Sequence, residues 1–444
     1  RRQKLFRLYM IFCPDFNGRL EYVMVSKALR LHGKEDLRLD EITLPAIKDD
    51  EILCKVVSDS ICMSSYKAAL QGAEHKRVPE NVAEHPVIIG HELCGEIVEV
   101  GKKWQDKFKP GQKFAVQPAL NYQGTIDAIG YSFEYAGGCA TYIILPHQCM
   151  EMDCLLPYDG DAFFYGSLAE PISCIIGAFN AQYHCPYKGR YDHVMGIKPG
   201  GNLIILAGAG PMGLGAVDYA INGPIKPATV TVTDINNARL ARAASILSPE
   251  AAAKKGVALH YVNTAEIENP EEYLVSLTGG VGYDDVFIFA PVRPVVEMAN
   301  KILNYDACIN FFAGPTDHNF SAMFNFYNVH YNSVHVMGTS GGNNDDLVQA
   351  LHYMSRGLIN PSSMITHIGG LDSAAHTTLN LPNIPGGKKL IYTHISMELT
   401  AIEDFEEKGK TDPMFKALAE IVARNNGLWC AEAERYLLSH AKPI

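Results

Sequence analysis

Short apolar runs broken by turns fill the first third of the chain. EILCKVVSD (51–59), CGEIVEVG (94–101) and ATYIILP (140–146) have the β-branched, alternating character of strands, and glycine and proline punctuate them. From residue 28 to about 149 this pattern predicts an irregular β-barrel. Between about 170 and 341 the period changes: NLIILAG, TVTVTD, DVFIFA, CINFFAG and VHVMGT read as buried strands, with helical stretches between them. Such alternation predicts a doubly wound parallel sheet. After GTSGGNNDD the chain is expected to return to the barrel, and the tail from Thr400, with MFKALAEIVARN and CAEAERYLLSHA, has helical apolar spacing and should pack on it. The expected class is α/β. Its parts are an extension over 1–23, a barrel domain over 24–172, a parallel-sheet domain over 173–343, and a return segment with a helical tail over 344–444.

Two local patterns carry chemistry. In IIGHELCGEIVEVG, His91 and Glu92 stand side by side after Gly90, with Cys62 upstream and Glu170 downstream in SLAEP. Thiolate, imidazole and carboxylate together are the mixed donor set of a catalytic zinc, which keeps one position open; structural zinc sites are closed by cysteine and histidine, commonly in C-x-x-C spacing. The chain contains no C-x-x-C. The bland readings are a buried cysteine at 62 and a Glu92 that orients the site without touching metal. The second pattern is GAGPMG. Gly208, Gly210, Pro211, Met212 and Gly213 lie between a strand and a helix, and Asp234 ends the next strand twenty-one residues past Gly213. This is a dinucleotide-binding fingerprint: glycines for the tight turn, the approach of the pyrophosphate and helix–strand packing, and an acid for the ribose hydroxyls. The charge of Asp234 would repel a 2′-phosphate, which favours NAD. Arg239 and Arg242 further on leave NADP as the alternative.

These motifs, with MVSKALRLHGKEDLRLDEITLP, SDSICMSSYKAALQG, GGCATYIILP, SLAEPISCIIGA and GGKKLIY, resemble the zinc-dependent medium-chain dehydrogenase/reductases, the superfamily of alcohol, sorbitol and threonine dehydrogenases. Within it, AALQGAEHKRVPE, FFAGPTDHNF, FNFYNVHYNSVHVMGTSGG, MITHIGGLD and LPNIPGGKKLIY are most similar to the bacterial L-sorbose 1-phosphate reductases. The resemblance implies a GroES-like catalytic barrel and a Rossmann coenzyme domain. It implies metal ligands Cys62, His91 and one or both of Glu92 and Glu170, with catalytic roles for Ser64, Lys67 and Glu92. Ser64 matches the hydroxyl that exchanges a proton with the substrate oxygen. Lys67 stands where alcohol dehydrogenases often carry a relay histidine, and Ser65 where an aspartate often supports the ligating histidine, so His91 should be a weaker donor. From Gln112 to Gln148 the only cysteine is Cys139, so the four-cysteine structural zinc lobe is missing and one catalytic zinc per chain is expected. A loop, QPALNYQGTIDAIGYSFEYAGG, replaces it. His330 and His335 are expected to flank a strand. A homo-oligomer, dimer or tetramer, follows from the likeness.

Composition narrows the class. Hydrophobic residues make up 47% and charged residues 20%, ordinary globular values, and the formal net charge of −11 with no long basic run argues against nucleic acid and anionic membranes as partners. The apolar runs are too short for a membrane span. Eleven scattered cysteines read as free thiols of a cytoplasmic protein, and RRQKLFRLYMIF does not read as a signal peptide. The resemblance implies reversible hydride transfer between a nicotinamide and a secondary alcohol or ketone of a sugar or polyol phosphate, with L-sorbose 1-phosphate as the favoured ketone. Lys76 and Arg77, between Cys62 and the GHE turn, are the candidate phosphate ligands in this acidic chain. Alternatives are a zinc polyol or threonine dehydrogenase on an unphosphorylated substrate, a metal-free reductase of the same fold, and a nucleotide-binding protein without catalytic activity.

Overall fold

The computed structural model describes residues 10–14, 20–187 and 189–444. Most of the expected extension over 1–23 lies outside the described residues; its described part includes the strand Met10–Pro14, antiparallel to Leu20–Gly33. The chain divides into two units. One comprises Arg1–Glu170 with Ile365–Ile444, the other Pro171–Met364.

The first unit is a β-structure wrapped around apolar residues. The strand Ile52–Ile61 is buried along nearly its whole length, since it pairs with Leu93–Val100, Tyr142–Leu145 and Lys388–Tyr392. A strand so enclosed reads as a continuous apolar run, and ILCKVVSDSI is close to one. The eight-stranded sheet is completed by Lys113–Val116, Leu155–Tyr158, Ile365–Gly370 and Thr400–Ala401. A second sheet, led by Leu20–Gly33 and Asp36–Leu44, meets it where the Ser26 hydroxyl donates to the Tyr142 carbonyl at 2.7 Å.

The tail helices Pro413–Arg424 and Ala431–His440 close this unit, packing Phe415, Leu418, Trp429 and Leu437 against Phe164, Leu168 and Tyr392. One buried acid ties them down. Glu434 accepts from the amides of Phe163 and Phe164, at 2.7 and 2.9 Å, and from the Tyr392 hydroxyl at 2.8 Å. Two unpaired amides at the start of the helix Phe163–Ala181 are thereby satisfied from far along the chain.

The second unit holds a six-stranded sheet in the order Ala258–Asn263, Thr229–Asp234, Asn202–Leu206, Tyr283–Ile288, Leu303–Phe311, His335–Gly338. All its pairs are parallel, and the order reverses direction at Asn202–Leu206, the topological switch point of the Rossmann fold. Residues 344–364, placed with the return segment on sequence grounds, belong to this unit. Hydrogen bonds decide that. Asp346 accepts from Asn180 at 2.9 Å, the Asn360 amide donates to Asp218 at 2.7 Å, and Arg242 donates to the Ser363 carbonyl at 3.1 Å.

Candidate active site

The end of the strand Ile52–Ile61 and the turn before Leu93–Val100 meet because the two strands are antiparallel. Cys62 leaves the first in an extended conformation and becomes the N-cap of the helix Met63–Gln71, its carbonyl accepting from the Ser65 amide at 3.1 Å. His91 and Glu92 follow Gly90, whose φ of +96° favours glycine; a Cβ there would stand 2.5 Å from the Asp59 carboxyl and 2.7 Å from the Cys139 amide. The Glu92 amide donates to Asp59 at 3.1 Å, and Cys139 donates its thiol to the other Asp59 oxygen at 3.2 Å. Burial pushes Asp59 up to about 8, against the pull of the Cys139 bond.

Ligand atoms of Cys62, His91 and Glu92 all lie within 4.8 Å of one another. Glu92 has no exposed surface, and while its Oε1 accepts from Lys388, its buried Oε2 has no partner. A buried carboxylate oxygen left unpaired beside a thiol and an imidazole is the electrostatic setting a divalent cation satisfies. The set therefore fits a zinc ion. Glu170 is outside this three-atom cluster but close enough to feel it: burial raises its carboxyl to about 7, opposed by His91 and reinforced by Glu92 and Cys62.

Ser64 sits at the mouth of the set, its hydroxyl donating to the Cys62 sulfur at 3.1 Å and lying 3.3 Å from His91 Nε2. Ser65 holds the other face of the ring, 3.2 Å from Nδ1, a neutral partner where an aspartate would raise the imidazole's basicity. Tyr131 donates to Ser64 at 2.8 Å; its ring stacks on His75 at 5.6 Å and carries the Arg77 guanidinium 5.7 Å above its centre. Arg77 Nε is buried with no hydrogen-bond partner. Burial, then the charges of Arg77, Lys76 and Lys67, lower His75 to about 4, and Lys76 is exposed.

In the second unit the glycine loop has the geometry of its motif. A Cβ on Gly208 would press on Ile205 at 2.5 Å, one on Gly213 would strike the Gly208 carbonyl, and one on Gly210 would meet nothing within 4 Å. Gly210 caps the helix Pro211–Asn222, so open space and unpaired amides coincide there, which suits a pyrophosphate. Met212 follows Pro211 in the first turn of that helix. Asp234 ends its strand, and its Oδ1 accepts from the amides of Ile235 and Asn236 at 2.8 and 3.0 Å.

Comparison with known proteins agrees with this geometry. Residues 48–153 match the alcohol dehydrogenase GroES-like domain, and residues 211–356 the zinc-binding dehydrogenase domain. A mannitol-1-phosphate 5-dehydrogenase of Aliivibrio fischeri is 54% identical over 91% of this chain and 96% of its own. An L-sorbose 1-phosphate reductase of Klebsiella pneumoniae is 49% identical over 95% and 99%. The chain belongs to the zinc-dependent medium-chain dehydrogenase/reductase family. In fold it matches the 2R,3R-butanediol dehydrogenase of Bacillus subtilis with a TM-score of 0.66 at 19% identity, covering 83% of this chain and 99% of the other. This dehydrogenase is accordingly an oxidoreductase that uses zinc and a nicotinamide cofactor.

Three residues of the dehydrogenase's site escaped sequence reasoning. Lys388 reaches Glu92 because Lys389 pairs with Ile61 across antiparallel strands, which carries Lys388 alongside Cys62. Burial works against its charge, but Glu92 and Cys62 outweigh burial and hold it well above the ordinary lysine range. Only its place in GGKKLIY hinted at it. Tyr131 comes from the loop that replaces the cysteine lobe, and Asp59, a lone acid in an apolar strand, was the one signal available for the Gly90 turn.

Proposed function

We propose that this dehydrogenase interconverts a ketose phosphate and a hexitol phosphate, with L-sorbose 1-phosphate as the ketone and NAD as the coenzyme. The observation that carries the reading is the chain from the metal set through Ser64 and Tyr131 to Arg77, whose buried Nε lacks a partner. Cys62, His91 and Glu92 would hold one catalytic zinc, with Glu170 as the carboxylate that can replace Glu92, and the absent four-cysteine lobe leaves no structural zinc of that type. When bound, zinc supplies Lewis acidity toward the substrate oxygen, and the nicotinamide donates or accepts the hydride. Ser64 gives the proton to that oxygen in reduction and takes it in oxidation. Tyr131 donates to Ser64 and so holds its hydroxyl in place for that exchange, and Lys67 lies one helical turn past Ser64 on the same helix.

The phosphate would pair with Arg77 and Lys76, supplying the acceptor that Arg77 Nε lacks. NAD is favoured because Asp234 ends the strand after the glycine loop, where its charge would repel a 2′-phosphate, and Arg242 is spent on the Ser363 carbonyl, with the exposed Arg239 keeping NADP as the alternative. The edge strand His335–Gly338, with its own Val336 exposed and preceded by exposed Phe326, Tyr327 and Tyr331, supports a homo-oligomer. The ten cysteines from Cys54 to Cys430 are free thiols, which supports a cytoplasmic location; among the described residues no helix is long and apolar enough to cross a membrane.

The relative named for mannitol 1-phosphate favours a second reading. Its name puts the reacting carbon at position 5, four carbons from the phosphate, whereas in L-sorbose 1-phosphate the two are adjacent. Initial rates on L-sorbose, L-sorbose 1-phosphate and D-mannitol 1-phosphate, each with both coenzymes, test the proposal. Preference for L-sorbose 1-phosphate with NADH supports it, preference for mannitol 1-phosphate selects the second reading, and equal efficiency on L-sorbose and its phosphate refutes the phosphate claim.

A further inference from the structure

Outside the catalytic centre, one other group of potential metal ligands lies among the described residues: Cys185, Asp306 and His335, with ligand atoms all within 4.8 Å of one another. All three belong to the parallel-sheet unit. Topology brings them together. Leu303–Phe311 pairs in parallel with His335–Gly338, which sets His335 opposite Cys308 and near Asp306, and the short strand Tyr183–His184 ends at Cys185. The Cys185 amide donates to both Asp306 carboxylate oxygens at 2.9 Å, fixing the carboxylate beside the thiol, and His335 Nε2 lies 2.8 Å from Asp306 Oδ1.

The charge balance favours a cation. Two buried carboxylates face two imidazoles here: His335 lies against Asp306, and His184 has its Nε2 3.1 Å from Asp285 and its Nδ1 2.9 Å from the Asp306 backbone carbonyl, while Asp285 also accepts from Gln182 at 3.0 Å and the Lys198 amide at 2.8 Å. Asp192 lies near Cys185 with its own charge paired to Arg190. The Tyr183 ring packs on both His335, at 4.4 Å, and His193, at 4.7 Å, so the loop through 192 and 193 can lend another donor. Ligands of a tetrahedral zinc at about 2.0–2.3 Å stand about 3.3–3.8 Å apart, so this set needs only rotamer-scale contraction.

We propose that Cys185, Asp306 and His335 form a second divalent-metal site of zinc-type chemistry, with the fourth position open to water or to the loop. It is independent of the catalytic centre. Binding exchanges the Cys185 thiol proton for the metal and releases that proton to solvent, with no change of oxidation state. Its effect is to clamp the edge strand His335–Gly338 to the two segments beside it. The histidine expected merely to flank a strand thus becomes a ligand, and the metal content rises from one ion per chain to two.

Titration of metal-free full-length protein with Co2+, followed by thiolate-to-cobalt charge-transfer absorbance and by elemental analysis, tests this. Wild type should reach two equivalents, Cys62→Ser and Cys185→Ser one each, and the double variant none with a thiolate band. His335→Gln should keep the thiol yet weaken the second equivalent at least ten-fold. Zinc-loaded Cys185→Ser should retain wild-type kcat/KM. An end point of one equivalent that vanishes in Cys62→Ser overturns the proposal, and so does a second equivalent that survives Cys185→Ser.

Discussion

Replacing Lys388 by methionine should destabilise the metal-free protein and, at the same time, tighten its hold on zinc. Both charged ends of the Lys388–Glu92 pair are buried, the lysine side chain 7% exposed and the glutamate 0%. Removing one partner of such a pair strands the other charge in the interior, a loss of about 3–5 kcal/mol. Methionine keeps the chain length and the packing, so the loss is electrostatic. With zinc bound at Cys62, His91 and Glu92, the stranded carboxylate recovers a cation, and the loss should shrink. Zinc uptake with release of one thiol proton adds a net positive charge to the site, which a neighbouring ammonium opposes. Each 1.4 kcal/mol recovered corresponds to a ten-fold gain in zinc affinity, so a gain of at least ten-fold is expected. Urea unfolding of metal-free and zinc-loaded protein gives the first quantity, and competition with a chromogenic chelator the second. Adding Glu92→Gln should restore most of the metal-free stability, since it removes the stranded charge. Equal destabilisation of the metal-free and zinc-loaded forms, with unchanged zinc affinity, would show that Glu92 does not face the metal and would hand that role to Glu170.

The other predictions use single residues. Arg77→Ala should lower kcat/KM on the phosphorylated substrate by roughly ten- to a hundred-fold, the worth of a charged hydrogen bond of about 1.5–3 kcal/mol, while sparing an unphosphorylated analogue; a loss shared by both substrates would remove Arg77 from the phosphate site. Asp234→Ala should raise the efficiency with NADPH relative to NADH, measured at fixed substrate, and a wild-type enzyme that already prefers NADPH would contradict the charge argument. Burial, then the Lys55 charge, lower His394 to about 3, against an unfolded value of 6.5. A depressed folded pKa means stability present above 6.5 and lost as the pH falls toward 3, about 2 kcal/mol of it by pH 5. His394→Gln, which can still donate to the Thr141 carbonyl as Nε2 does at 3.0 Å, should remove that part of the slope between pH 7.5 and 5 in urea midpoints; an unchanged slope refutes it.

Features set by neighbours in the chain were legible from the sequence. The glycine loop declares itself because strand, turn and helix are consecutive, and the crowding that forbids a side chain at Gly208 and Gly213 arises within nine residues, 205–213. The GHE turn is as local, since positive φ at Gly90 aims the histidine and glutamate that follow it. Cys62 could be paired with His91 in advance because catalytic zinc chemistry restricts the donors. What the tertiary structure decided depends on pairing across long separations. Glu92 and Lys388 are 296 residues apart and meet only through antiparallel register, and Glu434 reaches the Phe163 amide from 271 residues away. A buried lysine in an apolar strand carries no periodic signal that distinguishes it from an error in the pattern. The end of the parallel-sheet unit at Met364, beyond the glycine-rich stretch near 341, was likewise set by the bonds of Asp346, Asn360 and Ser363, which no run of hydrophobic and polar residues encodes.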